Sequence, residues 1–233
     1  VERSLRIYSD FDGTIASCDV TDLVLQKLAP PEWESIERLW LMGSIDAATC
    51  MRRQIRLLPA DYKALDEVLS QVELDPGFVD FAALCATNNW EIVVVSDGVD
   101  YFVRSVLTRY GFGHLPVFVN KLAVKGDRFE LEQPWRRVEC TAGSGVCKCA
   151  AVAERDPSAN IYIGDGRSDE CVGPKADVLY AKAKLADFCL VRNIQFARFT
   201  TFADVQQDLV ERFAVREKQE CVEIARLIGV VDE

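Results

Sequence analysis

The chain has 233 residues, 49% of them hydrophobic, and a formal net charge of −10 at pH 7, which suits one sizeable core with a small accessory module. This acidity, with no cluster of Lys and Arg, counts against a nucleic-acid binder, and no apolar run reaches the length of a bilayer span. Nine cysteines without a secretory leader predict reduced thiols in a soluble, cytoplasmic protein rather than a disulfide framework.

In chain order, Leu5-Arg6-Ile7-Tyr8 predicts a short buried strand that ends at Asp10-Phe11-Asp12-Gly13-Thr14. Ligands of open α/β sheets bind beyond the carboxyl ends of the strands, and Gly13 permits a sharp turn there, so both acids can enter one crevice. Helices are expected at Val20 to Leu28, Pro31 to Met42, Ile45 to Leu58 and Asp61 to Val72. Pro30-Pro31, Gly43-Ser44 and Pro59 punctuate them, with Pro31 suited to a first turn and Ser44 to an N-cap. A helix from Phe78 to Thr87 leads into a second strand, Glu91 to Val95, ending at Ser96-Asp97-Gly98. A helix at Val99 to Tyr110, a strand at Val117 to Val119 and a hairpin around Lys125-Gly126-Asp127 follow. Lys148 opens a short helix to Arg155, and a third apolar strand, Asn160 to Ile163, ends at Gly164-Asp165-Gly166-Arg167-Ser168-Asp169. A further strand is expected at Asp177 to Ala181, and amphipathic helices from Phe202 to the end.

Asp10, Asp12, Asp165 and Asp169 in one crevice would repel one another, each close pair by several kcal/mol at about 4 Å. A divalent cation relieves this, and all-oxygen ligands favour Mg²⁺. The cysteines at Cys140, Cys147 and Cys149 lack the paired spacing of a zinc site and are read as free thiols beside Lys148. Lys121 and Lys125 compete with Lys148 as the functional lysine, but Lys148 stands one helix and one turn before the third strand. His114 and the four tryptophans are read as packing or loop residues.

The order Asp-x-Asp-x-Thr, Ser, Lys, Gly-Asp-x-x-x-Asp at strand ends resembles the haloacid dehalogenase superfamily. That resemblance implies an α/β Rossmann-like parallel sheet with a helical cap inserted at residues 16–76 and a core formed by residues 1–15 and 77–233. It implies a phosphatase of small phosphorylated metabolites, with Asp10 as nucleophile through an aspartyl phosphate and Asp12 as proton donor and acceptor. Asp10, Asp165 and the Asp12 backbone carbonyl would bind Mg²⁺, and Asp169 would hold a metal water or Lys148. Lys148, Ser96 and the N–H groups near Gly98 would clamp the phosphate, and Thr14 would orient Asp10. Asp97 departs from the Ser-Gly-Gly of phosphoserine phosphatases and must point away or meet something cationic. Leu28-Ala29-Pro30-Pro31-Glu32-Trp33, Leu57-Leu58-Pro59 and the cysteine-rich approach to Lys148 are similar to the methionine-salvage phosphatases acting on 2-hydroxy-3-keto-5-methylthiopentenyl-1-phosphate. Arg53 matches their pattern in the cap, whereas the phosphoserine arginine position falls on Gln54. Asp19 stands where phosphoserine phosphatases place the acid that meets the substrate amine. Phosphoserine and phosphocholine-like or vitamin-like esters are the alternative substrates. A non-hydrolytic phospho-acceptor or phosphate-binding module is the alternative class.

Overall fold

The structure, a computed structural model, describes residues 5–153 and 160–212. Strands β1 (Arg6–Ser9), β2 (Glu91–Val99), β3 (Val117–Lys125), β4 (Arg128–Glu132), β5 (Asn160–Gly164), β6 (Val178–Ala181) and β7 (Ala197–Arg198) form one sheet in the order β4-β3-β2-β1-β5-β6-β7. All neighbours run parallel except β3 and β4, which make the expected hairpin. Ile7, Val94 and Ile161 pack on one face, while Tyr8, Val93, Val95 and Tyr162 pack on the other. A sheet buried on both sides selects continuous apolar strands, and this is why those runs show no polar alternation. The α/β class predicted from the sequence is the fold observed.

Helices α1 (Val20–Leu28), α2 (Glu32–Leu41), α3 (Ala47–Ile55) and α4 (Tyr62–Leu69) lie between β1 and β2. The chain leaves and rejoins the sheet through a narrow two-stranded neck, where Ala16 bridges Leu74 and Asp75 N donates to Ile15 O at 2.8 Å. The expected Ser44 cap is corrected: Asp46 caps α3, its carboxylate accepting from Thr49 N at 2.7 Å. Ser44 instead closes α2, donating its N–H to Leu39 O after Gly43 takes φ +72°.

Helices α5 (Phe78–Thr87), α6 (Asp100–Arg109), α7 (Lys148–Ala153) and α8 (Ala183–Arg192) complete the layers, with a further helix over 202–212. The expected end of α7 at Arg155 and the tail beyond 212 lie outside the described residues. Strand β7 and helix α8 were not anticipated; α8 follows β6 almost directly and its N-cap, Lys182, makes no side-chain capping bond. Asp75 joins the neck to the helix over 202–212, its Oδ1 accepting from Gly77 N and Phe202 N at 2.9 Å each. A Cβ on Gly77 would stand 2.4 Å from Ala203 N, a contact with backbone that cannot rotate away. Gly77→Ala should therefore lower stability by about 1–3 kcal/mol. An unchanged urea midpoint would show that this junction is slack.

Candidate active site

The carboxyl ends of β1, β2 and β5 open into one crevice, the usual ligand position in open parallel sheets. Gly13 adopts φ +67°, and a Cβ there would lie 2.7 Å from Asp165 Oδ2, so the turn after β1 needs glycine on both counts. That turn holds Asp10 firmly: Oδ1 accepts from Phe11 N at 2.7 Å, and Oδ2 meets Lys148 Nζ at 2.7 Å. Lys148, at the start of α7, is 0% exposed and its Nζ also lies 2.6 Å from Asp169 Oδ1. Asp169 is occupied on both oxygens, accepting from Tyr162 Oη at 2.5 Å on Oδ1 and from Asp165 N and Gly166 N at 3.1 and 2.9 Å on Oδ2. It is built to hold the lysine.

Burial acts to lower the Lys148 pKa, yet Asp10 and Asp169 keep the ammonium above its ordinary range. Burial and the Asp169 charge push Asp10 well above the usual carboxylate range, and the same two causes lift Asp165 to about 6. Asp10, Asp165 and Asp169 each offer a carboxylate oxygen within 4.8 Å of the others. One lysine does not relieve this crowding. An all-oxygen set of this kind fits a hard divalent cation.

Asp12 faces elsewhere. Its Oδ1 accepts from Val20 N at 2.9 Å and its Oδ2 from Ser96 Oγ at 3.3 Å, so only its backbone remains for a metal. Burial, then the charge of Asp19, pushes the Asp12 carboxyl up to about 8. That shift favours the protonated carboxyl near neutral pH. Thr14 corrects an expectation: its hydroxyl donates to Asp165 Oδ1 at 3.2 Å and not to Asp10, because the left-handed turn at Gly13 swings it toward the end of β5.

The second strand also differs from its predicted end, since β2 continues through Ser96-Asp97-Gly98 to Val99 with a shift of register after Val95. Ser96 Oγ accepts from Gly98 N at 2.9 Å, and a Cβ on Gly98 would lie 2.8 Å from Asp12 Oδ2. Asp97 meets N–H donors rather than a cation: Oδ1 accepts from Val146 N at 2.9 Å and Asn120 Nδ2 at 3.2 Å. It thereby fixes the loop that delivers Lys148.

A cavity of about 690 Å³ rises from these groups to α1, α2 and α3. Asp19 lines it, although its carboxylate also caps α1 by accepting from Asp22 N at 2.9 Å. Arg53 is a correction, for it is exposed and absent from the lining, whereas the neighbouring Gln54 is buried and faces the cavity. Gln54 Nε2 donates to Glu37 Oε2 at 2.9 Å. Trp40, expected only to pack, also lines the cavity and lies under the Arg167 guanidinium, 5.8 Å from its centroid. Tyr162 and Arg167 had no predicted role; an aromatic within an apolar strand and a variable loop position gave no signal. His114, Lys121 and Lys125 are exposed and not among the lining residues. A separate depression of about 590 Å³ beside Tyr62 and Tyr101 contains none of the crevice acids.

Acids brought from β1 and β5 onto one buried lysine, at the carboxyl edge of a parallel sheet, are the arrangement of a haloacid dehalogenase-type hydrolase. A family model described as haloacid dehalogenase-like hydrolase matches residues 7–172, and the chain belongs to that family. Its relatives include a 2-hydroxy-3-keto-5-methylthiopentenyl-1-phosphate phosphatase of Brevibacillus brevis, 30% identical over 88% of this chain and 95% of the relative. One of the same description from Geobacillus thermodenitrificans is 28% identical over 90% of this chain and 97% of its own. Among solved structures, a phospho-aspartyl intermediate analogue of phosphoserine phosphatase superposes with a TM-score of 0.64 at 16% identity, covering 91% of this chain and 99% of that one. At that identity the likeness is one of fold. No helix among the described residues is long and apolar enough to cross a membrane.

Proposed function

We propose that the chain is a Mg²⁺-dependent phosphomonoesterase of small metabolites that works through an aspartyl phosphate on Asp10. The observation that carries this reading is a carboxylate fixed by Phe11 N and Lys148, two residues from a second carboxyl, Asp12, whose burial favours its protonated form. Asp10 and Asp165, with the Asp12 carbonyl, would hold Mg²⁺, and Asp169 would support the site through its grip on Lys148. When bound, the cation would neutralise the crowded acids and draw charge from the phosphoryl oxygens.

An Asp10 oxygen attacks phosphorus in line, forming the aspartyl phosphate as the ester P–O bond breaks. Asp12 gives its proton to the departing alkoxide, then takes one from the water that attacks the phosphoenzyme. Lys148, together with Ser96, Thr14 and the Gly98 N–H once these turn from Asp12, Asp165 and Ser96 Oγ, would clamp the phosphoryl oxygens and favour their charge in the transition state. In this reading residues 16–76 are the cap, and residues 1–15 and 77–233 the catalytic core. The free thiols of the described cysteines suit a reducing compartment, the cytoplasm.

For the substrate we favour 2-hydroxy-3-keto-5-methylthiopentenyl-1-phosphate over phosphoserine. The relatives of that description share most of their length with this chain. The cap side of the cavity wall offers Asp19, Asp22, Glu37 and the uncharged Gln54, and its cations, Arg167 and Lys184, come from the core side, so a leaving-group carboxylate finds no guanidinium among the lining residues of α1 to α3. With Mg²⁺ present, kcat/KM for the keto-enol ester should exceed that for phosphoserine by about tenfold or more. Phosphoserine as best substrate by the same margin would refute this assignment. Arg53→Ala, on the exposed side of α3, should leave both values within about twofold.

A further inference from the structure

The segment that carries Lys148 places a thiol on each side of it, and the two sulfurs meet: Cys147 Sγ and Cys149 Sγ are 3.5 Å apart. Within a continuous helix, side chains two positions apart diverge by about 200°. Here Cys147 precedes the first helical residue of α7, which lets both thiols turn to one side while Lys148 points to Asp10 and Asp169. Cys147 is buried, its N–H donating to Trp135 O at 3.0 Å, whereas Cys149 is half-buried. Cys149 also contacts the Cys171 thiol and the Lys175 ammonium.

A zinc centre does not fit these sulfurs. Four thiolates around zinc would stand about 3.8 Å from one another, as follows from a Zn–S distance of about 2.3 Å. Among the described residues no three of the sulfurs lie within 4.8 Å of each other. The contacts run as a chain, Cys140 to Cys147 to Cys149 to Cys171, without closing on one centre, and the Cys147–Cys149 link, at 3.5 Å, is the pair poised for a disulfide.

We propose that Cys147 and Cys149 form a dithiol modification site that hydrogen peroxide closes to a disulfide, displacing Lys148 from Asp10. The Cys149 thiolate attacks one peroxide oxygen, the O–O bond breaks and hydroxide leaves, giving a sulfenic acid. Cys147 sulfur then attacks Cys149 sulfur; the S–S bond forms, the S–O bond breaks, and the hydroxide leaves as water with the Cys147 proton. Two thiols lose two electrons and one peroxide becomes two waters. Although burial opposes it, contacts with Cys147, Cys171 and Lys175 lower the Cys149 pKa and so raise its thiolate fraction. Drawing together the residues on either side of Lys148 while Trp135 anchors Cys147 moves the lysine backbone, and contacts of 2.6 and 2.7 Å do not survive that. The consequence for activity rests on the role of Lys148 proposed above; the chemistry of the thiols does not.

The test uses the full chain treated with hydrogen peroxide, alkylated and cut with trypsin, with p-nitrophenyl phosphate turnover followed in parallel. Trypsin cuts after Arg137, Lys148 and Arg155, so a Cys147–Cys149 disulfide leaves residues 138–148 and 149–155 joined as one species that dithiothreitol separates. That species should form in the wild type and in Cys140→Ser, which removes the other thiol of the first peptide. Activity should fall by at least about tenfold in step with it and return with dithiothreitol, the scale of a lost charged hydrogen bond. Cys149→Ser, or Cys149→Ala should the serine variant not fold, should keep its activity under the same treatment. Oxidation of other cysteines with no joined species, or a joined species at full activity, overturns the proposal, as does a Cys149 variant inactivated at the wild-type rate. An untreated protein without turnover would refute the phosphatase reading while the joined species still reported on the thiols.

Discussion

Asp10→Asn should retain the fold and lose phosphate-ester turnover to below about a hundredth of wild type, because an amide oxygen does not displace an alkoxide from phosphorus. Stability should hold or rise, since burial and Asp169 already work against the Asp10 charge, and Lys148 keeps its contact with Asp169. The measurement is single-turnover kinetics at saturating Mg²⁺ beside thermal melting. Turnover above that hundredth in a correctly folded variant would remove Asp10 from the nucleophile's role.

Lys148→Met should be costly in both respects. A methionine fills much of the same volume but leaves Asp10 and Asp169 facing each other without a cation inside a closed site. Breaking a buried ion pair by removing one partner costs about 3–5 kcal/mol, and kcat/KM should fall by about a thousandfold as phosphoryl charge loses its stabiliser. Lys121→Met, at an exposed position, serves as the control and should change neither. If Lys148→Met held kcat/KM within tenfold of wild type, the lysine would be a structural strut only.

The strands that carry the site were legible because each is buried on both faces and reads as an unbroken apolar run ending in polar, glycine-marked residues. Positions at strand ends followed from that. Partners of individual side chains did not, because they are settled by distant sequence: Thr14 and Asp165 are 151 positions apart in the chain yet share a hydrogen bond. Asp97 was visible as an oddity, but its answer, the N–H of Val146, lay in a loop without pattern. In α3 the misplacement is angular. Arg53 and Gln54 differ by about 100° around the helix axis, and a helix polar on several sides does not announce which one turns toward a ligand. Helix α8 lacked the capping residue that makes a helix start readable.

The position of β1 has a consequence for how the protein is made. Of the described strands it is the first to be synthesised and the centre of the sheet, with Arg6 opposite both Glu91 and Asn160. Until β2 is synthesised, β1 has neither of its neighbours, and helices α1 to α4 must take shape beside an unpaired apolar strand. Long-range pairing of this kind slows folding and exposes the nascent chain to chaperones. Asp10 and Asp165 meet only once β5 has docked, so hydrolytic capacity arrives late in synthesis. Fragments released early would hold the first acidic motif without the lysine or the second acid that turn it into a site.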